Sequence, residues 1–222
     1  MNELLKQIGE CIEFGKVNLA SPYPPQMRGQ EGADELTKKA IDAGIDPSKI
    51  LEEGLVAAME VVGRKFAENK IFVPQMLLSA KAMMAGMAHL KPFFTSGAVA
   101  QKGTVIIGTV MGDLHDIGKN ICAMMIEGSG YKVIDLGVDV KPEQFADCLR
   151  ENPGAFIGVS ALLTTTMVNI ELVVNAVRAI EPNCKVIVGG APLNAEFAKK
   201  VGADFYAKDP QADIDYLNSQ VA

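Results

Sequence analysis

The chain has 222 residues, 49% of them hydrophobic and 22% charged, with a formal net charge of -6. That is enough apolar material for one large globular domain or two small ones. Residues 1–95 carry 11 basic and 12 acidic side chains and residues 96–222 carry 10 and 15, so neither half offers the basic footprint that nucleic acid or an anionic membrane needs. Four cysteines, Cys11, Cys122, Cys148 and Cys184, stand far apart with no C-x-x-C pair. Their spread fits a reduced cytoplasm and argues against a thiolate metal cage; they read as small core residues. No basic-then-apolar signal opens the sequence, and no apolar run approaches the ~20 residues of a membrane span.

Up to about residue 92 the pattern is helical. Leu4, Leu5, Ile8 and Ile12 fall at helical spacing, as do Leu36, Ala40 and Ile41. Between them lies a proline-rich turn, Ser21-Pro22-Tyr23-Pro24-Pro25. Pro47 to Phe66 places Ile50, Leu51, Leu55, Ala58, Met59 and Val62 on one side, and Pro74 to His89 follows with Met76, Leu77, Ala80, Met83, Met84 and Met87. Pro47 and Pro74 suit first-turn positions. Four such helices predict a small bundle over residues 1–92. The methionine row reads as bundle core, with Met76 the exception that could face a ligand, and His89 reads as structural or solvated. Residues 93–103 carry Thr-Ser-Gly and Gln-Lys-Gly and read as a linker.

From 104 to 222 strands and helices alternate. Strands are predicted at 104–110, 132–136, 155–160, 185–189 and 204–207, and helices at 118–128, 142–151, 165–180, 194–201 and 210–220. Alternation of this kind predicts an α/β domain: a flavodoxin-like (Rossmann-like), doubly wound, five-stranded parallel sheet with helices on both faces. Ligands of such sheets sit at the carboxyl ends of the strands, at the switch point.

Three loops at that edge are unusual. After the first strand comes Gly112-Asp113-Leu114-His115-Asp116-Ile117-Gly118-Lys119. It holds one of the two histidines, with a carboxylate two residues before it and a glycine where a helix should start. After the third strand comes Ser160-Ala161-Leu162-Leu163-Thr164-Thr165-Thr166, rich in short donors and acceptors. The fourth strand ends in Gly189-Gly190, which lets a ligand approach the backbone or simply makes a tight turn. Asp116 reads as the cap of the following helix, not as a metal ligand. Thr164 to Thr166 read either as polar contacts or as a plain helix cap. Together the loops describe a groove for an elongated polar ligand.

Asp113-x-His115-x-x-Gly118, then 41 residues, Ser160-x-Leu162, then 26 residues, and Gly189-Gly190 resembles the cobalamin-binding signature of corrinoid proteins. That family includes the cobalamin domain of methionine synthase and the small corrinoid carriers of anaerobic methyl-transfer systems. The segment Phe66-Ala67-Glu68-Asn69-Lys70-Ile71-Phe72-Val73-Pro74-Gln75 is similar to a run in the helical cap of the same family. An isolated D-x-H-x-x-G would be weak; the match at both gaps makes it specific.

The resemblance implies a set of roles. The cofactor is cobalamin or a related corrinoid, with its own base off the cobalt and its nucleotide tail in the groove. His115 is the lower axial ligand, Asp113 takes the proton of the other ring nitrogen, and Thr166 completes that relay where methionine synthase has serine. Gly112, Leu114, Asp116, Ile117 and Gly118 belong to the binding loop; Ser160, Leu162, Thr164, Gly189 and Gly190 line the tail. Phe66 and Val73 of the cap shield the upper face, and Met76, one turn from Val73, is the methionine that could join them at the cofactor.

The methyl group then rides on cobalt as an intermediate between a substrate-specific methyltransferase and a second methyltransferase, whose acceptor is tetrahydrofolate or a thiol such as coenzyme M. A reductive activator rescues oxidised cobalt. The chain is a component of a one-carbon methyltransferase system and not a catalyst alone. Two rival readings share the groove: the cobalamin subunit of an adenosylcobalamin mutase, and a cobalamin-dependent sensor, which would need a DNA-binding segment. The donor (methanol, a methylamine, a quaternary amine or a methoxyaromatic) is unread, and neither nucleic acid nor membrane is expected as a partner.

Overall fold

A computed structural model describes residues 2–95 and 100–221 and divides into two compact units. Unit one is Met1–Gln101 with Gly128–Gly130; unit two is Lys102–Glu127 with Tyr131–Ala222.

The first unit is helical, as the spacing predicted. In α1 (Glu3–Phe14) the Asn2 side chain caps the first turn by accepting from the Leu4 N–H, and Leu5, Ile8, Cys11 and Ile12 are buried on one face. Gly15 ends the helix in the left-handed region at φ 74°, with Leu78 Cβ 2.7 Å from where a side chain would begin. Only glycine serves both demands. The proline-rich connection is pinned by two groups. Fully buried Lys16 donates to the Ser21 carbonyl at 2.8 Å. The Glu35 carboxylate of α2 (Ala33–Asp42) accepts from the Leu19 and Gly32 N–H groups, both at 2.9 Å.

The predicted helix from Pro47 to Phe66 forms, with one difference. It is a rod of α3 (Pro47–Lys49), a π-helical segment Ile50–Val56 and α4 (Ala57–Ala67). The widened turns rotate the apolar stripe so that Ile50, Leu51, Leu55 and Val56 are buried together with Ala58, Met59 and Val62. Periodicity of 3.6 cannot announce such a shift. Helix α5 (Val73–Thr95) is longer than its Pro74–His89 prediction and runs through Pro92 into the expected linker; residues 96–99 of that linker lie outside the described residues. His89, read as structural or solvated, is tied to Asp34 of α2 at 2.5 Å. Among the described residues no helix is long and apolar enough to cross a membrane.

The second unit is the predicted parallel sheet. Strands β1 (Thr104–Thr109), β2 (Lys132–Asp135), β3 (Phe156–Ser160), β4 (Val186–Gly189) and β5 (Phe205–Ala207) lie in the order β2-β1-β3-β4-β5, all parallel. This is the flavodoxin-like order, with its switch point between β1 and β3. Helices α6 (Ile117–Gly128), α7 (Pro142–Glu151), α8 (Ile170–Ile180), α9 (Ala195–Lys200) and α10 (Pro210–Val221) alternate with the strands. Ile106, Ile157, Val159, Val186 and Val188 of the sheet pack with Phe145 and Leu149 of α7 and Val173 and Val177 of α8. The continuous apolar runs of the strands reflect a sheet buried on both faces. One boundary is corrected: α8 begins at Ile170 after a 3-10 turn at Met167–Asn169, not at 165.

Unit two also buries an acid. Asp213 of α10 is almost fully enclosed, and burial pushes its carboxyl up to about 7, an effect opposed by the Cys122 thiol donating to it and reinforced by the nearby Asp209 charge. The folded state therefore binds this proton more tightly than the unfolded state does. Its stabilising effect is complete below the ordinary carboxylate value of 3.8 and is lost as pH rises to about 7. Asp213→Asn should remove this slope. Thermal denaturation at pH 5 and pH 8 should show the variant gaining on the native chain at the higher pH, by about 2.5 kcal/mol at most, since some two pH units of the slope fall between them at ~1.4 kcal/mol each. Parallel pH profiles for the two chains would contradict the assignment.

Candidate functional site

Strand β1 delivers its chain to the switch point, and the loop that follows turns back on itself at Gly112. That residue adopts φ +81° and donates its N–H to the Asp139 carboxylate at 2.6 Å. The turn carries Asp113 inward and His115 outward. Asp113 is fully buried, and among the described residues no lysine or arginine forms an ion pair with it. Hydrogen bonds hold it instead. Its Oδ2 accepts from the Thr166 hydroxyl at 2.7 Å and from the Leu162 and Leu163 N–H groups at 2.8 and 3.3 Å. Its Oδ1 accepts from the His115 N–H at 3.1 Å and lies 2.7 Å from His115 Nδ1.

Burial alone would raise this carboxyl. The Leu162 N–H, the Thr166 hydroxyl, and the ring and backbone N–H groups of His115 overcome that and hold it well below the usual carboxylate range. Asp113 is therefore the anion, and the shared proton stays on His115 Nδ1. The imidazole is half exposed, at 50% for its side chain, and among the described residues nothing engages Nε2. A ring fixed by one nitrogen and open at the other is the arrangement that second-shell carboxylates impose on metal-binding histidines.

The surroundings decide what such a ligand could meet. No group of three or more His, Cys, Asp or Glu side chains gathers here or elsewhere among the described residues, so a cage for a bare ion is lacking. A metal would have to arrive with its own equatorial ligands. The neighbours of His115 suit that: Leu114 and Ile117 are 72% and 70% exposed, an apolar rim that water does not favour. A Cβ built on Gly118 would meet nothing within 4 Å. A large, flat, partly apolar macrocycle bearing a metal fits these residues.

The other predicted residues gather at the same edge. Thr109, Ser160 and Gly189 end three adjacent strands and stand in register across the sheet. Thr164 is exposed on the loop after β3, beside half-exposed Leu162. Thr166, left open between cap and relay, makes no cap bond; its hydroxyl goes to Asp113 and to the Leu163 carbonyl at 3.1 Å. Gly190 has a structural reason of its own: at φ 138° a side chain would begin 1.8 Å from the Ala161 carbonyl oxygen. Asp116 accepts from the Asn120 amide at 3.1 Å, one turn into α6. Phe66 and Val73 are half-buried in the helical unit. Met76 departs from the expectation placed on it: at 1% exposure it is buried like Met59 and Met83, with no free surface for a ligand.

Some residues of the site carry no motif signal. The Leu162 and Leu163 contributions are backbone N–H groups, which sequence does not display. The loop after β2 was not singled out, although Asp135-x-Gly137-x-Asp139 has turn chemistry. There the Asp139 N–H donates to the Asp113 carbonyl at 3.0 Å.

Three comparisons bear on this geometry. A family model described as B12 binding domain matches residues 103–215, and a second of the same description matches residues 29–91. The chain is 41% identical over 183 residues to trimethylamine corrinoid protein 1 of Methanosarcina acetivorans, covering 81% of this chain and 85% of that one. It is 41% identical over 210 residues to the dimethylamine corrinoid protein of Methanosarcina barkeri, covering 93% and 92%. Its fold is similar to a chain in the crystal structure of the methanol:cobalamin methyltransferase complex of Methanosarcina barkeri, with a TM-score of 0.82 at 29% identity over 99% of this chain and 80% of that one.

Two substitutions test the local account. Thr166→Val should cost about 1.5–3 kcal/mol in chemical denaturation, since it strips a donor from a buried carboxylate, whereas Thr166→Ser should cost little. Gly190→Ala should destabilise by at least ~2 kcal/mol, because neither its φ nor its space admits a side chain. A neutral Gly190→Ala would show that the two loops are not held this close.

Proposed function

The chain belongs to the family of B12-binding corrinoid proteins, and we propose that it carries a methyl group on a protein-bound corrinoid between two methyltransferases. When bound, the corrinoid supplies a cobalt centre able to accept and give up a methyl group. The observation that carries the reading is His115 itself: Nδ1 tied to a buried anionic Asp113 and Nε2 open at the switch point.

Each residue then has a task within that reading. His115 Nε2 would ligate the cobalt, and Asp113, holding the proton on Nδ1, would make the ring a stronger donor at Nε2. Thr166 and the Leu162 N–H keep Asp113 ionised and fixed in direction. Gly112, Leu114, Ile117 and Gly118 form the surface against the macrocycle, and Ser160, Thr164, Gly189 and Gly190 line the path of its nucleotide tail. Phe66 and Val73 keep the shielding role that the family pattern implies.

In this reading the chain carries the methyl group and leaves activation of the donor to other proteins. The reading therefore requires a substrate-specific methyltransferase, a second methyltransferase with tetrahydrofolate or a thiol as acceptor, and a reductive activator. Relatives named for trimethylamine and dimethylamine favour methylated amines as the donor class. The same relatives weigh against a mutase subunit or a sensor.

The test is reconstitution of the full chain with hydroxocobalamin. Stoichiometric uptake is expected, with an absorption spectrum that changes in His115→Ala while the variant still folds, because the ring is half exposed. No uptake, or identical spectra in the two chains, would overturn the reading. Methyl transfer from trimethylamine or dimethylamine, but not methanol, with the cognate methyltransferase would support the amine class; methanol alone as donor would refute it.

A further inference from the structure

Lys119 lies in the first turn of α6, and its side chain is 2% exposed. An ammonium group is seldom buried so deeply without a purpose, since its desolvation offsets much of what an ion pair returns. Its Nζ donates to Asp135 Oδ2 at 2.5 Å and to Asn120 Oδ1 at 2.6 Å. An apolar side chain of similar length could fill the same volume at lower cost. What an ion pair adds is direction: it binds α6 to one point on the sheet.

That point leads back to His115. Asp135 ends β2, and its other oxygen accepts from the Gly137 N–H at 2.8 Å. The Gly137 carbonyl accepts from the Thr109 N–H at 3.0 Å. The Thr109 hydroxyl, fully buried, donates to the His115 carbonyl at 3.0 Å. On the helix side, the Asn120 amide that meets Lys119 also donates to Asp116, the residue after His115. The hydrogen bonds thus close a ring through the loop after β2 and return to both flanks of the histidine. Asp113 fixes the imidazole from the β3 side; this ring fixes the main chain that bears it from the β2 side.

We propose that Lys119 and Asp135 form a positioning clamp that holds the His115 loop in its ligand-ready conformation before any corrinoid binds. The proposal rests on the reading of His115 as the metal ligand, and adds residues to it that do not touch the cofactor. Preorganisation of this kind spares the loop an ordering cost at binding.

The experiment uses the full chain as Lys119→Met, Asp135→Asn and Lys119→Arg. In the cofactor-free protein, amide hydrogen exchange over residues 115–121 should quicken about tenfold or more in the Met and Asn variants, with the loop at 162–166 unchanged. With hydroxocobalamin, binding should weaken by about 10–100-fold. After reduction to cobalt(II), the fraction of protein showing nitrogen hyperfine splitting from His115 should fall, and Lys119→Arg should restore part of it. Exchange that is unchanged, or quickened equally throughout the chain, together with an intact nitrogen signal, overturns the clamp. If Lys119→Met does not fold, Asp135→Asn decides alone, because that carboxylate is already partly solvated. A native chain without the His115 nitrogen signal would refute the ligand assignment itself, and the exchange data would still decide the clamp.

Discussion

A buried carboxylate held by hydrogen bonds organises this protein's site. Five donors converge on Asp113, and two of them come from the ring and backbone of His115. Removing that charge from water is tolerable only while all of them remain in place. The site therefore has little freedom: the loop after β1, the loop after β3 and the first turn leading into α8 must keep their mutual positions. An imidazole attached to such an anchor inherits its rigidity, and its second nitrogen points wherever the fold directs it.

The sheet makes the convergence possible. β1 and β3 are neighbours at the switch point of the sheet, the edge at which sheets of this order take their ligands. Asp113 ties the loop after β1 to the loop after β3, and Ser160 and Gly189 stand in register at the ends of β3 and β4. The close approach of Gly190 to Ala161 draws the third loop in. From the opposite side, Asp139 and Asp135 hold the two ends of the His115 loop to the exit of β2. The ligand loop is thus supported on both flanks, and its free face carries the exposed apolar side chains that a macrocycle would cover.

Much of this was legible in the sequence because the responsible groups are side chains at fixed spacing. Asp113, His115 and Thr166 could be named in advance, as could the strand order, since continuous apolar runs alternating with amphipathic segments admit few topologies. What escaped notice has a common cause: it resides in the backbone or in packing. The Leu162 and Leu163 N–H groups have no signature in residue type. The π-helical turns at Ile50–Val56 preserve the hydrophobic stripe while shifting its phase. The start of α8 moved because Thr166 bonds to Asp113 and not to the helix end. Nothing in residue type announces that Lys119 is buried; its partner at Asp135, sixteen residues on, shows why it can be. Met76 is buried at 1% exposure, and helical spacing alone does not distinguish the rim of a bundle from its core.

The central claim is that Asp113 fixes the tautomer of His115, so that the neutral ring carries its proton on Nδ1 and presents Nε2 as the open nitrogen. The most direct measurement is the ring nitrogen spectrum of the cofactor-free chain by long-range proton–nitrogen NMR at alkaline pH. His115 is assigned by comparison with a His89→Gln variant, since the chain has two histidines. The account predicts a neutral ring with the proton on Nδ1. A ring carrying its proton on Nε2, or one exchanging equally between the two nitrogens, would contradict it.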